Sequence, residues 1–229
     1  MRIVTWNCFR GDCLARAEEL LPLEPDVIVL QECARPERRD DAQCVWFGEN
    51  PRQGVGIVAR NGYALERGPL NGDVTHTVFP VVVKGPLEFH MLAIWAQPKP
   101  TYVQAIDAGL TAYKEFVRQS PCLVVGDFNS HSRFDSRNRQ FSHTMLVQKL
   151  RDEFGLVSSF HGRPSLAADS MEEATYYHKR KEEQPFHIDY CFLPQDWVPH
   201  IRHVSIGSYQ DWKGRSDHRP LLVDVALPE

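Results

Sequence analysis

No stretch of this 229-residue chain stays apolar for the roughly 20 residues that a membrane-crossing helix needs. A membrane-spanning helix is excluded as an organising element, and no membrane partner is expected. The segment RIVTW (2–6) already reads as a strand and leaves no room for a secretory leader, so a cytoplasmic protein is expected. The six cysteines (Cys8, Cys13, Cys33, Cys44, Cys122 and Cys191) contain no CxxC pair. That argues against a structural zinc site, and without a secretory signal they are expected to be reduced, mostly half-buried thiols. Linkers, low-complexity tracts and short repeats are also missing, which leaves one domain over residues 1–229 and a monomer as the expectation. Excess positive charge is missing too: the formal net charge is -4. A protein that clamps long nucleic acid through bulk charge is disfavoured, although local basic patches stay open.

What is present is an alternation of short apolar runs and helical stretches. Strands are expected at 2–6, 26–32, 44–48, 54–60, 77–83 and 87–96, separated by Gly, Pro and Asn turns. Asp12 is placed to cap a helix reaching about Leu21. Residues 101–118 carry Tyr102, Ile106, Leu110, Tyr113 and Val117 at helical spacing behind Thr101. The second half repeats the outline, with a strand at 122–126 and a helix over about 138–154 with Phe141, Met145, Leu146, Leu150 and Phe154 inward. Further strands are expected near 157–160, 174–178, 187–193, 198–206 and 220–226. Short connections favour antiparallel pairing. Two mixed sheets packed face to face with helices outside fit this order, an α/β (α+β) architecture.

Five of these strand-like runs end on a polar group. They are Asn7 in IVTWNC, Glu32 in DVIVLQE, Asp127 and Asn129 in LVVGDFN, Asp189 in HIDYCFL, and Asp217 with His218 in SDHRPLLVDV. Carboxylates gathered at one sheet rim repel unless a cation sits among them. Glu32, ending an uninterrupted apolar strand, is the best single candidate for a hard cation such as Mg²⁺, with Asp217 and Asn7 completing the shell. Alone, Glu32 could be a solvated acid and Asn7 a turn amide. His218 suits proton transfer near neutrality, and Asp189, inside an apolar strand, is its candidate orienting partner. A lone His–Asp pair can equally be structural. Asp127 and Asn129 lie two apart in extended chain and share a side. Taken alone, a DxN is common in turns.

The order TWN, LQE, GDFN, IDY and SDHRP resembles the endonuclease/exonuclease/phosphatase superfamily over about residues 2–226. The resemblance implies a four-layer αββα sandwich of two mixed, mostly antiparallel sheets with the site at one end. It implies Glu32, Asn7 and Asp217 as metal contacts, His218 as catalytic histidine and Asp189 as its partner. Asp127 would handle the proton of the water or leaving group, and Asn129 would contact the scissile phosphate. The implied reaction is Mg²⁺- or Mn²⁺-assisted in-line attack of water on a phosphate ester.

The chain departs from the pattern after HMLAIWAQ, where many relatives carry His or Tyr and Trp95 stands here. Indole can donate a hydrogen bond but cannot protonate a leaving group. Trp95 therefore either stacks on a base or ribose or packs in the core. His187 and the pair Tyr176–Tyr177 border the expected site, each as a substrate contact or as packing. Arg133, Arg137 and Arg139, with His131 and His143 nearby, are the best candidates for gripping further phosphates, against a solvated loop. Lys179–Lys181, followed by two glutamates, reads as a solvated run. The short chain leaves little room for duplex-gripping arms. The expected substrate is a nucleotide or a nucleic acid phosphodiester, short or single-stranded. A phosphomonoesterase of a small metabolite and a catalytically silent binding module are the competing readings.

Overall fold

Alternating apolar residues sort the strands into layers, because successive side chains face opposite sides of a sheet. In β1 (Arg2–Asn7), Ile3 joins one core while Val4 and Trp6 join another. The computed structural model describes residues 1–37, 43–74, 76–136, 141–162 and 173–226. After β1 come α1 (Cys13–Glu18), β2 (Val27–Cys33), β3 (Cys44–Asn50), β4 (Gln53–Ala59), β5 (Ala64–Arg67), β6 (Val78–Lys84), β7 (Phe89–Trp95), α2 (Tyr102–Ala112), α3 (Lys114–Arg118) and β8 (Cys122–Asp127). The second half runs through α4 (His143–Phe154), β9 (Leu156–Ser158), β10 (Tyr176–Tyr177), β11 (Pro185–Phe186), β12 (Asp189–Pro194), β13 (Ile201–Ile206), α5 (Tyr209–Trp212) and β14 (Leu221–Val225).

One sheet has the order β13-β14-β1-β2-β4-β3 and the other β5-β6-β7-β8-β12-β9. Each contains one parallel pair, β1 with β2 and β7 with β8, among antiparallel neighbours. The sheets face each other across a core that includes Ile3, Val29, Ile57, Met91, Val125 and Val223. Outside the first sheet, Cys13 and Ala17 of α1 pack on Val4, Trp6 and Leu30. Outside the second, Ile106, Leu110, Phe116, Leu146 and Leu150 of α2–α4 pack on Leu92, Val124 and Phe192. The four expected layers are present. Among the described residues no helix is long and apolar enough to cross a membrane.

Several boundaries differ from expectation for local reasons. Asp12 does cap α1, its Oδ1 accepting from the Leu14 and Ala15 amides at 3.0 and 3.1 Å, but the helix ends at Glu18 and a separate 3₁₀ turn covers Leu21–Leu23. The helix over 101–118 breaks at Tyr113, whose φ of -103° and ψ of 18° split it into α2 and α3. Both pieces keep their apolar side on the sheet, so periodicity alone could not reveal the break. The helix expected from about 138 begins at His143, capped by Ser142, with the Asp135 carboxylate also accepting from the His143 and Thr144 amides. Leu146 and Leu150 point inward as expected, whereas Phe141 and Met145 are exposed. Residues 195–200, with Pro199, form a 3₁₀ turn rather than the start of a strand. All six cysteines are buried thiols outside any disulfide, not half-buried ones. Residues 38–42, 137–140 and 163–172 lie outside the described residues.

Candidate active site

At one end of the inter-sheet core the inward-facing positions change from apolar to polar. On β1 the face of Ile3 continues to Thr5 and Asn7, and on β2 the face of Val27 and Val29 continues to Gln31. Gln31 Nε2 donates to Thr5 Oγ1 at 3.0 Å, closing the apolar core with a paired polar layer. On β8, Leu123 and Val125 lead to Asp127, and on β12, Leu193 and Cys191 lead to Asp189. These two carboxylates face each other in register across the antiparallel β8–β12 pair.

Glu32 reaches this face by a different route. Strict alternation would put it on the outer face with Ile28 and Leu30. The pairing of β2 with β4 instead slips between Gln31 and Cys33, and Glu32 adopts φ 63°. Such a bulge re-aims a side chain at the cost of one unpaired residue. The Glu32 carboxylate then lies beside Asn7: Asn7 Nδ2 donates to Glu32 Oε1 and to Asp127 Oδ2, both at 3.0 Å. One amide nitrogen thus sits between carboxylates from the two sheets. The other carboxylate oxygen, Glu32 Oε2, accepts from Gln53 Nε2 at 3.1 Å. Backbone freedom matters once more at Gly126 (φ 140°), where a Cβ would collide with the Ile94 carbonyl and push β8 off β7.

His218 and the two aspartates form the buried part of the site. His218 Nδ1 meets Asp189 Oδ2 at 2.8 Å, and His218 Nε2 lies 3.9 Å from Asp127 Oδ2. Asp127 and Asp189 have no exposed surface. Burial pushes the Asp127 carboxyl up to about 7; His218 and the Asn7 and Asn129 hydrogen bonds oppose that shift and Asp189 adds to it. Burial disfavours a charged His218, but the carboxylates of Asp189 and Asp127 outweigh it and raise the imidazole to about 9. Asn129, at φ 48°, donates from its backbone to Asp127 Oδ1 at 2.9 Å and from Nδ2 to Asp127 Oδ2 at 3.1 Å. Asp127, Asp189 and His218 each offer one ligand atom within 4.8 Å of the others.

Asp217 stands next to His218, half-buried, with Oδ1 3.5 Å from Ser216 Oγ. Ser216 went unassigned in the sequence, yet its hydroxyl donates to the Asn7 carbonyl at 2.7 Å and accepts from the His218 amide at 3.0 Å. Gln53, in the neighbouring strand, carried no motif either. Thr175 Oγ1 accepts from the Ile188 and Asp189 amides, both at 3.0 Å, which fixes the start of β12. Ser216 opens the SDHRP run and Thr175 adjoins the Tyr176–Tyr177 pair expected to border the site, but nothing in the sequence marks either of them, or Gln53, as a support. Arg219, from the same SDHRP run, is wholly buried and lies over the rings of Tyr177 and Tyr209.

The expected rim residues divide. The Tyr176 ring lies 4.7 Å from that of His218, and its phenol meets His178 Nδ1 at 3.0 Å. Arg133 is exposed on a 3₁₀ turn and, with Asn129, Tyr176 and Phe186, lines a groove of about 550 Å³. Trp95 is half-buried, in register with Asp127 on the adjacent strand, and lines a second cavity of about 530 Å³. His187 is a correction: it is 1% exposed, its Nδ1 meets the Glu173 carbonyl, and its ring packs against Phe160, His161 and Tyr190. Alternation alone would keep His187, two residues before Asp189, on the same face, but it precedes β12 in a non-strand link and its ring turns into that cluster, so it has no surface for substrate. His131 and His143 are likewise buried and not free to grip phosphate. Arg137 and Arg139 lie outside the described residues.

The fold recurs in solved structures. A 3' phosphatase, NExo, from Neisseria bound to product DNA hairpin aligns with a TM-score of 0.74 at 20% identity, over 99% of this chain and 100% of that one. The 3'-5' exonuclease NExo from Neisseria meningitidis aligns with a TM-score of 0.72 at 21% identity, over 99% and 100%. The endonuclease domain of TRAS1, a telomere-specific non-LTR retrotransposon, gives 0.67 at 15% identity, over 100% and 99%. These likenesses show the fold alone. Among curated proteins none matches the chain. The profile of the Endonuclease/Exonuclease/phosphatase family, however, matches residues 4–218, from the strand that ends on Asn7 to His218 itself. The chain therefore belongs to the Endonuclease/Exonuclease/phosphatase family.

Proposed function

We propose that this protein is a divalent-metal-dependent phosphodiesterase, acting as a nuclease on DNA or RNA or on a nucleotide phosphodiester. The observation that carries the reading is the single Asn7 amide held 3.0 Å from both Glu32 and Asp127, beside a buried Asp189–His218 pair. The donors facing this point are hard oxygens, which fit Mg²⁺ or Mn²⁺. Glu32 and Asp217 would hold the ion together with Asn7, which would have to offer the Oδ1 that here accepts from the Phe9 amide. When bound, it would neutralise charge on the phosphate and orient it for attack.

The remaining work falls to the chain's own groups. Asp189 fixes the His218 ring through Nδ1 and leaves Nε2 directed toward Asp127. With its pKa raised to about 9, His218 is an imidazolium at neutral pH and donates a hydrogen bond to a nonbridging phosphate oxygen. Asp127, pushed up to about 7, is matched to proton transfer with water or the leaving oxygen near neutrality. Asn129 holds Asp127 from two directions and presents its amide to the phosphate. Tyr176, Trp95 and Arg133 border the substrate.

The same groups serve a phosphomonoesterase, a reading favoured by the relative described as a 3' phosphatase. A panel of a single-stranded oligonucleotide, bis-p-nitrophenyl phosphate and phosphomonoesters, each with Mg²⁺, Mn²⁺ or EDTA, separates the two. We expect metal-dependent cleavage of the diesters. Turnover confined to monoesters, or undiminished in EDTA, would sink the proposal.

A further inference from the structure

The cavity of about 530 Å³ beside Trp95 is rich in cations although the chain carries a net charge of -4. Three cations, Arg35, Arg67 and Lys99, line it, and among the described residues none has a carboxylate partner. Its one lining acid, Glu49, lies 3.3 Å from His76, also in the wall. Arg67 is held in place by the Trp46 carbonyl at 2.7 Å and by the Phe47 ring, 4.7 Å from its guanidinium carbon. A guanidinium has five N–H donors, so the fixed orientation leaves donors for an anion.

Phe47, Leu70, Phe79 and Trp95 also line the cavity, and Trp95 is half-exposed. The cavity also adjoins the candidate active site. Gln53 lines it and donates to Glu32 Oε2, while Trp95 neighbours Asp127 across the parallel β7–β8 pair. Its volume falls within the range that encloses small ligands, roughly 300–1,000 Å³. Unpaired cations around an aromatic platform are the chemistry that holds single-stranded nucleic acid, with bases stacked and phosphates paired.

We infer that this cavity is a subsite for a nucleotide of single-stranded nucleic acid flanking the scissile phosphate, its base on Trp95 and the backbone phosphates on Arg35, Arg67 and Lys99. The inference rests on the phosphodiesterase reading of the neighbouring site and makes the substrate a polymer rather than a small metabolite.

The test measures fluorescence anisotropy of a labelled ten-nucleotide single-stranded DNA in EDTA, where no metal-dependent turnover occurs. The Arg35→Ala/Lys99→Ala double variant, both exposed side chains, should weaken binding about tenfold. It should also reduce the slope of log affinity against log salt by about 1.4, at roughly 0.7 per lost phosphate contact. Arg67→Gln should act in the same direction, and Trp95→Ala should weaken binding by at least about fivefold, the low end of base–aromatic stacking. In turnover, the double variant should raise KM for the oligonucleotide more than KM for bis-p-nitrophenyl phosphate. Unchanged affinity and salt slope in the double variant would overturn the subsite, as would equal losses on both substrates. Unchanged affinity in Trp95→Ala would overturn the base contact. If the wild type binds the DNA with these dependences but cleaves no phosphodiester, the catalytic reading fails and the subsite stands.

Discussion

The two sheets supply unlike halves of the candidate site. The first brings groups that water can reach: Glu32 and Asp217 are half-buried, and Glu32 is steadied by Asn7 and Gln53. The second brings Asp127 and Asp189, which have no exposed surface. His218 enters from the loop before β14, in the first sheet, yet its ring is held by Asp189 of the second. The difference has a physical reason. A cation such as Mg²⁺ keeps several waters and needs ligands at a wet edge. Proton transfer near neutrality needs shifted pKa values, which burial and close charges produce. The proposed chemistry needs two dielectric environments, and the seam between the sheets offers both.

The sharpest way to break this comparison pairs two substitutions. Glu32→Gln and His218→Ala should each lower phosphodiester hydrolysis by about 10³-fold. Calorimetric titration with Mn²⁺ should lose its binding heat in Glu32→Gln and keep it in His218→Ala. If His218→Ala also loses the ion, the buried Asp127–Asp189–His218 trio is a ligand set and the division fails. Next in size, Asp189→Asn should cost about 100-fold in kcat with KM nearly unchanged, because the amide can offer the wrong tautomer of His218 a partner.

A third outcome concerns pH. In the metal-free protein Asp127 is raised to about 7 and His218 to about 9, both above their unfolded values. A raised pKa means that the folded state binds the proton more tightly, so stability is lost as pH climbs through the shifted range. Tm should fall between about pH 4 and 7 through Asp127 and between about 6.5 and 9 through His218. Asp127→Asn should flatten the lower window, and a scanning-calorimetry series with unchanged slope would contradict the buried-charge account. The smallest effect is expected for Gln53→Ala, which removes one hydrogen bond from Glu32. Metal affinity should drop about tenfold, with kcat at saturating metal preserved.

Much of this was legible in the chain because it rests on local pattern. The apolar runs predicted the strands, and each polar strand end fell near the sheet rim where Asn7, Asp127, Asp189 and His218 now meet. The rest depends on register and on long-range contacts. Nothing in DVIVLQE announces the slip that turns Glu32 inward. Gln53 reaches Glu32 and Ser216 reaches the Asn7 carbonyl across long sequence separations, and β5 has too few buried positions to show alternation. His187 shows the same limit: two residues before Asp189, its parity points to the site, yet it lies outside β12 and its ring turns into an aromatic cluster.

The bulge at Glu32 can be regarded as a change of phase. Along β2 the side-chain wave runs with period two, and the slip inserts half a period just before the wave ends. Core residues upstream are blind to it, since Val27 to Leu30 keep their faces either way. A relative could therefore retain every letter of LQE, fold with the same core, and still lose its carboxylate from the site because β4 had paired one residue further along. For Glu32, then, the residue and the phase of its strand are separate requirements, and only the first can be read from the letters.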